Sequence, residues 1–405
     1  MNALCLVIDR LHSGYLGAYG NGWVDTPAFD RLAAESFLFD QALIDTPELA
    51  PLYRSYWQGW HALAGAPPQD RPSLPAMLRE AGVHTLLLTD APAVRKHALA
   101  ADFNDVIEIK VPLLVGPVEE GEFDKTRLAE CFAQIIDRLE TAPQPFFLWC
   151  HLASLGLVWD APPEFLQLYT EEEAPDAPRS ADVHERFLTD RDADEAVGIS
   201  RTYAAHVSLL DACLERLHAA LLEHPVGRET LLTLTSARGF PLGEHRRVGP
   251  CDEALYGELV HVPLLLRFPD GLAASGRSQA LVEPADLRPT LLDWWHVREP
   301  IASPSGGSLM PIIRGEAANL RDRLIISGRG SELAIRTPAW YLRAADAPEL
   351  YVKPDDYWEA NNVAVRCQEV VECLQDTLLQ TEQTLAAGRI ADLPPLSDVL
   401  IEGLE

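Results

Sequence analysis

The chain has 405 residues, 47% of them hydrophobic and 23% charged, enough to bury a large core in two domains or in one α/β domain with an appendage. Its 61 acidic residues against 33 basic ones give a formal net charge of −28. That balance excludes sequence-independent binding to nucleic-acid phosphates and docking on anionic lipid, and is read as a solubility feature.

The first residues, "MNALCLVIDRL", hold an apolar run from Ala3 to Ile8 without a basic flank or a small-residue cleavage site, so no export signal is expected. No stretch approaches the roughly 20 apolar residues of a membrane span. Seven cysteines are scattered without a CxxC pair, which predicts reduced, buried thiols and a cytoplasmic protein.

In chain order, a strand is predicted over 3–8 and a helix over 26–39, with Thr26 as N-cap and Pro27 in its first turn. A helix over 73–82 precedes strands over 84–89 and 105–109. A helix over 126–141 leads into a strand over 146–152, in which His151 and Cys150 read as packed core. The acidic, aperiodic stretch 169–196 reads as a long surface loop. Beyond it come a helix over 199–224, strands over 230–235 and 262–268, and a helix over 283–297. The strands are continuous apolar runs, as expected when both faces of a sheet are covered, and their alternation with helices predicts an α/β fold on a mostly parallel sheet. After about residue 320 the texture changes to short strands at 323–327, 332–337 and 340–345 and a helix over about 363–387. The expected domains are therefore 1–318 and a small α+β subdomain, 319–405.

The turn after strand 230–235 reads "SARGFPLGEH" (236–245). Such a turn is where an α/β enzyme keeps a metal or nucleophile, yet it delivers Ala237, with no donor atom, and Arg238, which is always protonated. Glu244 and His245 read as an exposed loop pair. The glycines are turn residues, since no GxGxxG or GK[ST] accompanies them.

"ALCLVIDRLHSGYLGAYGNGWVDTPAFDRLAAESFLFDQAL" resembles the opening of the sulfatase family, within the alkaline-phosphatase superfamily. Further resemblances follow in order: "FFLWCHLASLGLVWDAPPEF", "TSARGFPLGEH", "ALYGELVHVPLLLRFP", "DLRPTLLDW" and "PELYVKPDDYWEANNVA". They cover nearly the whole chain. The resemblance implies a sulfatase-like mostly parallel sheet with a small C-terminal subdomain. In that family a Cys or Ser in C-x-P-x-R becomes the nucleophile, beside a hard divalent cation that meets the ester's developing charge.

At the positions so implied, the chain departs from the pattern. Leu49 stands at the nucleophile and Tyr53 at the following arginine, with Arg54 one residue late. Of the metal positions Asp9 is kept, the second acidic one is Arg10, and Ala237 and Arg238 replace ligands. Gly156 stands at the catalytic histidine, Ser154 at its supporting Asp, and Pro250 at the Lys or His that would hold the sulfate. No catalytic residue, metal ligand or cofactor is therefore expected. A vestigial cleft of Asp9, Arg10, His12, Arg54, Arg238 and His245 remains as a binding site, and Arg238, helped by Arg10, is expected to pair with Asp9.

Three functions follow from the resemblance. The first is a pseudoenzyme that binds a small molecule or protein. The second is a sulfuric- or phosphoric-ester hydrolase with a site rebuilt from Asp9, His12, Asp45, Thr46 or His245, the one case in which Ca or Mg is expected. The third is a stabilising subunit of an active homologue, leaving homo- or hetero-oligomers open.

Overall fold

The computed structural model describes residues 1–111, 118–170, 186–189, 192–299, 303, 305–389 and 392–404. Its strands, in chain order, are β1 Asn2–Ile8, β2 Phe37–Ala42, β3 His84–Thr89, β4 Asp105–Glu108, β5 Phe146–Leu152, β6 Arg186–Phe187, β7 Thr230–Thr235, β8 Arg247–Val248, β9 Leu264–Arg267, β10 Gly276–Val282, β11 Leu324–Ser327, β12 Leu333–Arg336, β13 Trp340–Ala344 and β14 Glu349–Val352. They belong to two compact units. The first comprises Met1–Leu38, Gly82–Cys251 and Val262–Arg277; the second comprises Phe39–Ala81, Asp252–His261 and Ser278–Glu405.

In the first unit the strands run in the order β9-β7-β1-β5-β3-β4. All pairs are parallel except β7 with β9, which is antiparallel. Register aligns Ile8 with Leu152, Val7 with Thr235, and Thr89 with His151, so the carboxyl ends of β1, β3, β5 and β7 fall on one edge. Every residue of β1, β5 and β7 is buried, which explains their uninterrupted apolar sequences. One face, carrying Leu4, Leu6, Leu148, Cys150, Leu232 and Leu234, shares a core with the helices Arg127–Thr141 and Ala193–Glu223 through Phe132, Ile135, Leu210 and Leu217.

The first helix is shorter than expected. It covers Pro27–Ala34, and the end of the expected run is the strand β2. Ser36 donates to the Leu32 carbonyl at 2.6 Å as the helix closes, and the short apolar run Phe37–Phe39 suits either element. Thr26 occupies the N-cap position, but its hydroxyl accepts from Gly17 N at 3.0 Å. The cap is supplied from the long helix instead, where Asp211 accepts from Ala28 N and Phe29 N at 3.1 and 2.9 Å. That long helix begins at Ala193, inside the expected 169–196 loop; 171–185 and 190–191 lie outside the described residues.

In the second unit, β2 and β10 are neighbours, and β11-β12-β13-β14 form an antiparallel meander. The helix Gln368–Ala386 packs on that meander through Leu374, Leu378 and Leu385, against Ile335, Trp340 and Leu342. The expected 283–297 helix resolves into a 3-10 turn, Pro284–Asp286, and a helix, Leu287–Trp294. Several elements had no sequence expectation, among them the helix Leu49–Gln58, β10 and β14. No helix among the described residues is long and apolar enough to cross a membrane.

Candidate functional site

The site lies within the first unit, where β1 and β7 end. Asp9 follows β1 and is tied to β5 by its N–H, which donates to the Leu152 carbonyl at 2.8 Å. β7 ends at Thr235 and turns through Ser236, whose hydroxyl donates to the Arg238 carbonyl at 2.6 Å and accepts from Arg238 N at 3.2 Å. The same hydroxyl accepts from Leu11 N at 3.3 Å, joining the two strand ends. This turn aims Arg238 at Asp9. Its Nε donates to Oδ1 at 3.1 Å and its Nη2 to Oδ2 at 2.6 Å, a bidentate pair whose side chains are 11% and 5% exposed. Burial alone would raise the Asp9 pKa. The Arg238 charge and hydrogen bonds, with Arg10 and His151 behind them, reverse this and hold the carboxyl well below the usual range. Ala237 is fully buried, and its methyl side chain has no donor atom.

Arg10 has φ of +70°, a left-handed backbone that costs a non-glycine residue about 1 kcal/mol or more. Its side chain is buried and donates to the Pro250 carbonyl at 3.5 Å. A Cβ placed on Gly156 would come within 2.7 Å of Arg10 Cγ. Arg10 thus occupies the room that a side chain at 156 would need. The backbone around Arg10 is clamped by Tyr203 from the long helix: its hydroxyl donates to the Arg10 carbonyl at 2.7 Å and accepts from His12 N at 2.9 Å.

His12 is buried, with Nδ1 accepting from Gly14 N at 2.9 Å and Nε2 3.2 Å from Glu244 Oε1. Glu244 Oε2 accepts from Leu242 N at 2.8 Å. Burial would raise the Glu244 pKa, but His12 beside it lowers it on balance. Glu244 lies in an exposed turn, as expected, but its side chain is turned inward: it is 19% exposed and partners His12. His245 is half-buried in the same turn. His151 is fully buried in β5, and burial lowers its pKa against the pull of Asp9 and Asp90. Asp90, after β3, accepts from Ala153 N at 2.7 Å and pairs with Arg127 at 3.2 Å. Tyr203 and Asp90 were missed by sequence reasoning. Asp90 carries a usable signal, an aspartate directly after an apolar strand; Tyr203 carries none.

Leu49, Tyr53 and Arg54 belong to the second unit. Leu49 opens the helix Leu49–Gln58 and is half-buried. Tyr53 is fully buried, its ring centroid 5.6 Å from that of Tyr56 and 4.6 Å from that of Trp57. Arg54 donates to the carbonyls of His61 and Ala62 at 3.2 and 2.8 Å, a loop-fixing role. Asp45 Oδ2 accepts from Ser55 Oγ and from Ala62 N at 2.5 and 2.8 Å, and Thr46 Oγ1 accepts from Glu48 N at 3.3 Å.

A divalent cation does not fit the residues at Asp9. Both carboxylate oxygens already receive the guanidinium of Arg238, and Arg10 adds a second positive charge. Among the described residues no group of three or more His, Cys, Asp or Glu is placed to hold a metal ion.

The first unit has a mostly parallel sheet with polar residues gathered at the strands' carboxyl ends, and the second unit has an antiparallel sheet with a packed helix, a mixed α/β make-up that matches solved sulfatase structures. The profile of the family Sulfatase matches residues 1–297, and the chain belongs to that family. It is 25% identical over 349 residues to iduronate 2-sulfatase of Homo sapiens, covering 70% of this chain and 61% of that protein. The mouse counterpart is covered over 59% of its length, so the chain spans about six tenths of these relatives. It is 24% identical to the delta 4,5-hexuronate-2-O-sulfatase of Bacteroides thetaiotaomicron, over 90% of this chain and 84% of that protein. Among solved structures, the phosphonate monoester hydrolase of Agrobacterium radiobacter superposes with a TM-score of 0.75 at 18% identity, covering 97% of this chain and 96% of that one, a likeness of fold.

Proposed function

We propose that this sulfatase-family protein is a binding protein that does not hydrolyse sulfate esters by the family's metal-dependent route. The observation that carries the reading is the Asp9–Arg238 pair: a guanidinium fills the coordination sphere of the retained acidic residue. Three further features support it. Arg10 takes up the space at Gly156, Ala237 offers no ligand, and Leu49 has no nucleophilic atom. Losing even one member of a hydrolytic constellation costs about 10²–10⁶-fold in rate elsewhere, so losing several together is no tuning of activity.

On this reading the ligand, a small molecule or a protein, is taken at the rim of the Asp9–Arg238 site. The names of two relatives make 2-O-sulfated hexuronates the first small molecules to try. Cytoplasmic residence is proposed on the seven free cysteines, five of them buried.

The test is a turnover screen with sulfate and phosphate esters, 2-O-sulfated hexuronates included, with and without Ca²⁺, Mg²⁺, Mn²⁺ or Zn²⁺. The expected result is no turnover with any ester, while a 2-O-sulfated hexuronate or a co-purified protein binds the wild type. Chelator-sensitive turnover would replace this reading with a hydrolase whose site has been rebuilt.

A further inference from the structure

The second unit holds a cavity of about 1100 Å³, large enough for a small organic molecule and independent of the Asp9–Arg238 site in its residues. Three arginines line it, and two are neutralised locally. Arg321 pairs bidentately with Asp286 at 2.6 and 2.5 Å, and Arg323 with Asp322 at 2.8 and 3.0 Å. Arg336 differs. It is 3% exposed, and its guanidinium donates to the carbonyls of Thr337, Pro338 and Trp340 and to Gln41 Oε1, all uncharged. Among the described residues no carboxylate lies at ion-pair distance from it. Glu359, whose field reaches it, is already paired with Lys353 at 3.0 Å. A buried cation without a counter-ion is costly, and a ligand carboxylate would relieve it.

The same cavity carries the complementary group. Glu283 is 6% exposed, and its Oε1 receives no hydrogen bond, lying 3.9 Å from Arg321 Nη2. His61, 3.8 Å from Oε2, spends its Nε2 on the Ile325 carbonyl at 3.1 Å while Nδ1 accepts from Leu63 N. Glu283 thus offers a buried acceptor wanting a donor. The remaining wall includes Leu320, Leu385, Leu393 and Pro395.

We propose that this cavity binds a small zwitterion with an apolar body, a hydrophobic amino acid or short apolar peptide, its carboxylate on Arg336 and its ammonium on Glu283. The experiment is calorimetric titration of the full chain with L-leucine and with Leu-Leu-Leu. One of the two should bind saturably, and its C-terminal amide and its N-acetyl form should each bind at least tenfold more weakly. Leu320→Trp, which puts an indole into the apolar part of the cavity, should weaken binding at least tenfold with the melting temperature retained; Arg336→Gln and Glu283→Gln should each weaken it tenfold or more. Because Arg336 also fixes backbone carbonyls, the blocked ligands on the unmutated chain decide the matter even if that variant does not fold. Absence of saturable binding by either ligand, or unchanged affinity after blocking either terminus, overturns the proposal.

Discussion

Asp9 and Arg238 come from strand ends 229 residues apart in sequence, and each is unstable in its burial without the other. Breaking a buried pair from one side leaves an uncompensated charge, so Arg238→Ala should cost about 3–5 kcal/mol in chemical denaturation. Asp9→Asn combined with Arg238→Ala should recover part of that loss; strictly additive losses would contradict the pairing. The folded-state pKa of Asp9 is depressed, so its contribution to stability is complete above the unfolded value near 3.8 and is lost as pH falls toward the folded value. The wild-type chain should therefore lose stability below about pH 4 more steeply than the double variant. Gly156 gives a second test. Gly156→Ala would press its Cβ on Arg10 Cγ and should destabilise by about 1–3 kcal/mol, with Arg10→Ala relieving the loss in the double variant. The pair was legible in the sequence because the ordered motifs align Asp9 with the turn at 236–245. The His12–Glu244 and Tyr203–Arg10 contacts were not, since only tertiary folding brings residues so separated together.

The long helix Ala193–Glu223 is the element that organises the first unit, and it does so with buried polar groups. Tyr203 clamps Arg10 and His12, His206 bridges, and Asp211 caps another helix. His206 Nε2 accepts from Ala161 N at 2.9 Å while Nδ1 donates to the Thr202 carbonyl at 2.9 Å, a geometry that requires the neutral ring. Burial lowers its pKa to about 4, from 6.5. The unfolded chain then binds the proton first, so stability falls as pH drops from 6.5 to 4 and levels off below. Asp211 runs the other way: burial raises its pKa to about 6, so it contributes stability as pH falls through that value. His206→Gln should flatten the His206 part of the slope between pH 4 and 6.5, read as the difference from wild type; an unchanged slope would contradict the neutral bridge. Strands buried on both faces were legible from their apolar runs. β2 and the helix Leu49–Gln58 were not: the first is too short to separate strand from helix by periodicity, and the second is a short run with Pro51 in its first turn and three aromatic residues that suit a strand as well.

At the scale of the molecule, the fold is that of the sulfatase family while the site at its strand ends is closed by charge of protein origin. Sequence order carried the fold because motif after motif follows the family's order along the chain; the contacts around Asp9 were less legible, because most of them join residues far apart in sequence. Arg10 and Arg238 set two positive charges against the Asp9 carboxylate, in a chain whose net charge is −28. A metal that bound the folded chain alone would stabilise it by about 2.7 kcal/mol at a hundredfold excess over its dissociation constant. The most direct test is the melting temperature of the purified chain with millimolar Ca²⁺ or Mg²⁺ and with chelator. The account predicts the same melting temperature in all three conditions; a rise of several degrees with either cation, reversed by chelator, would contradict it.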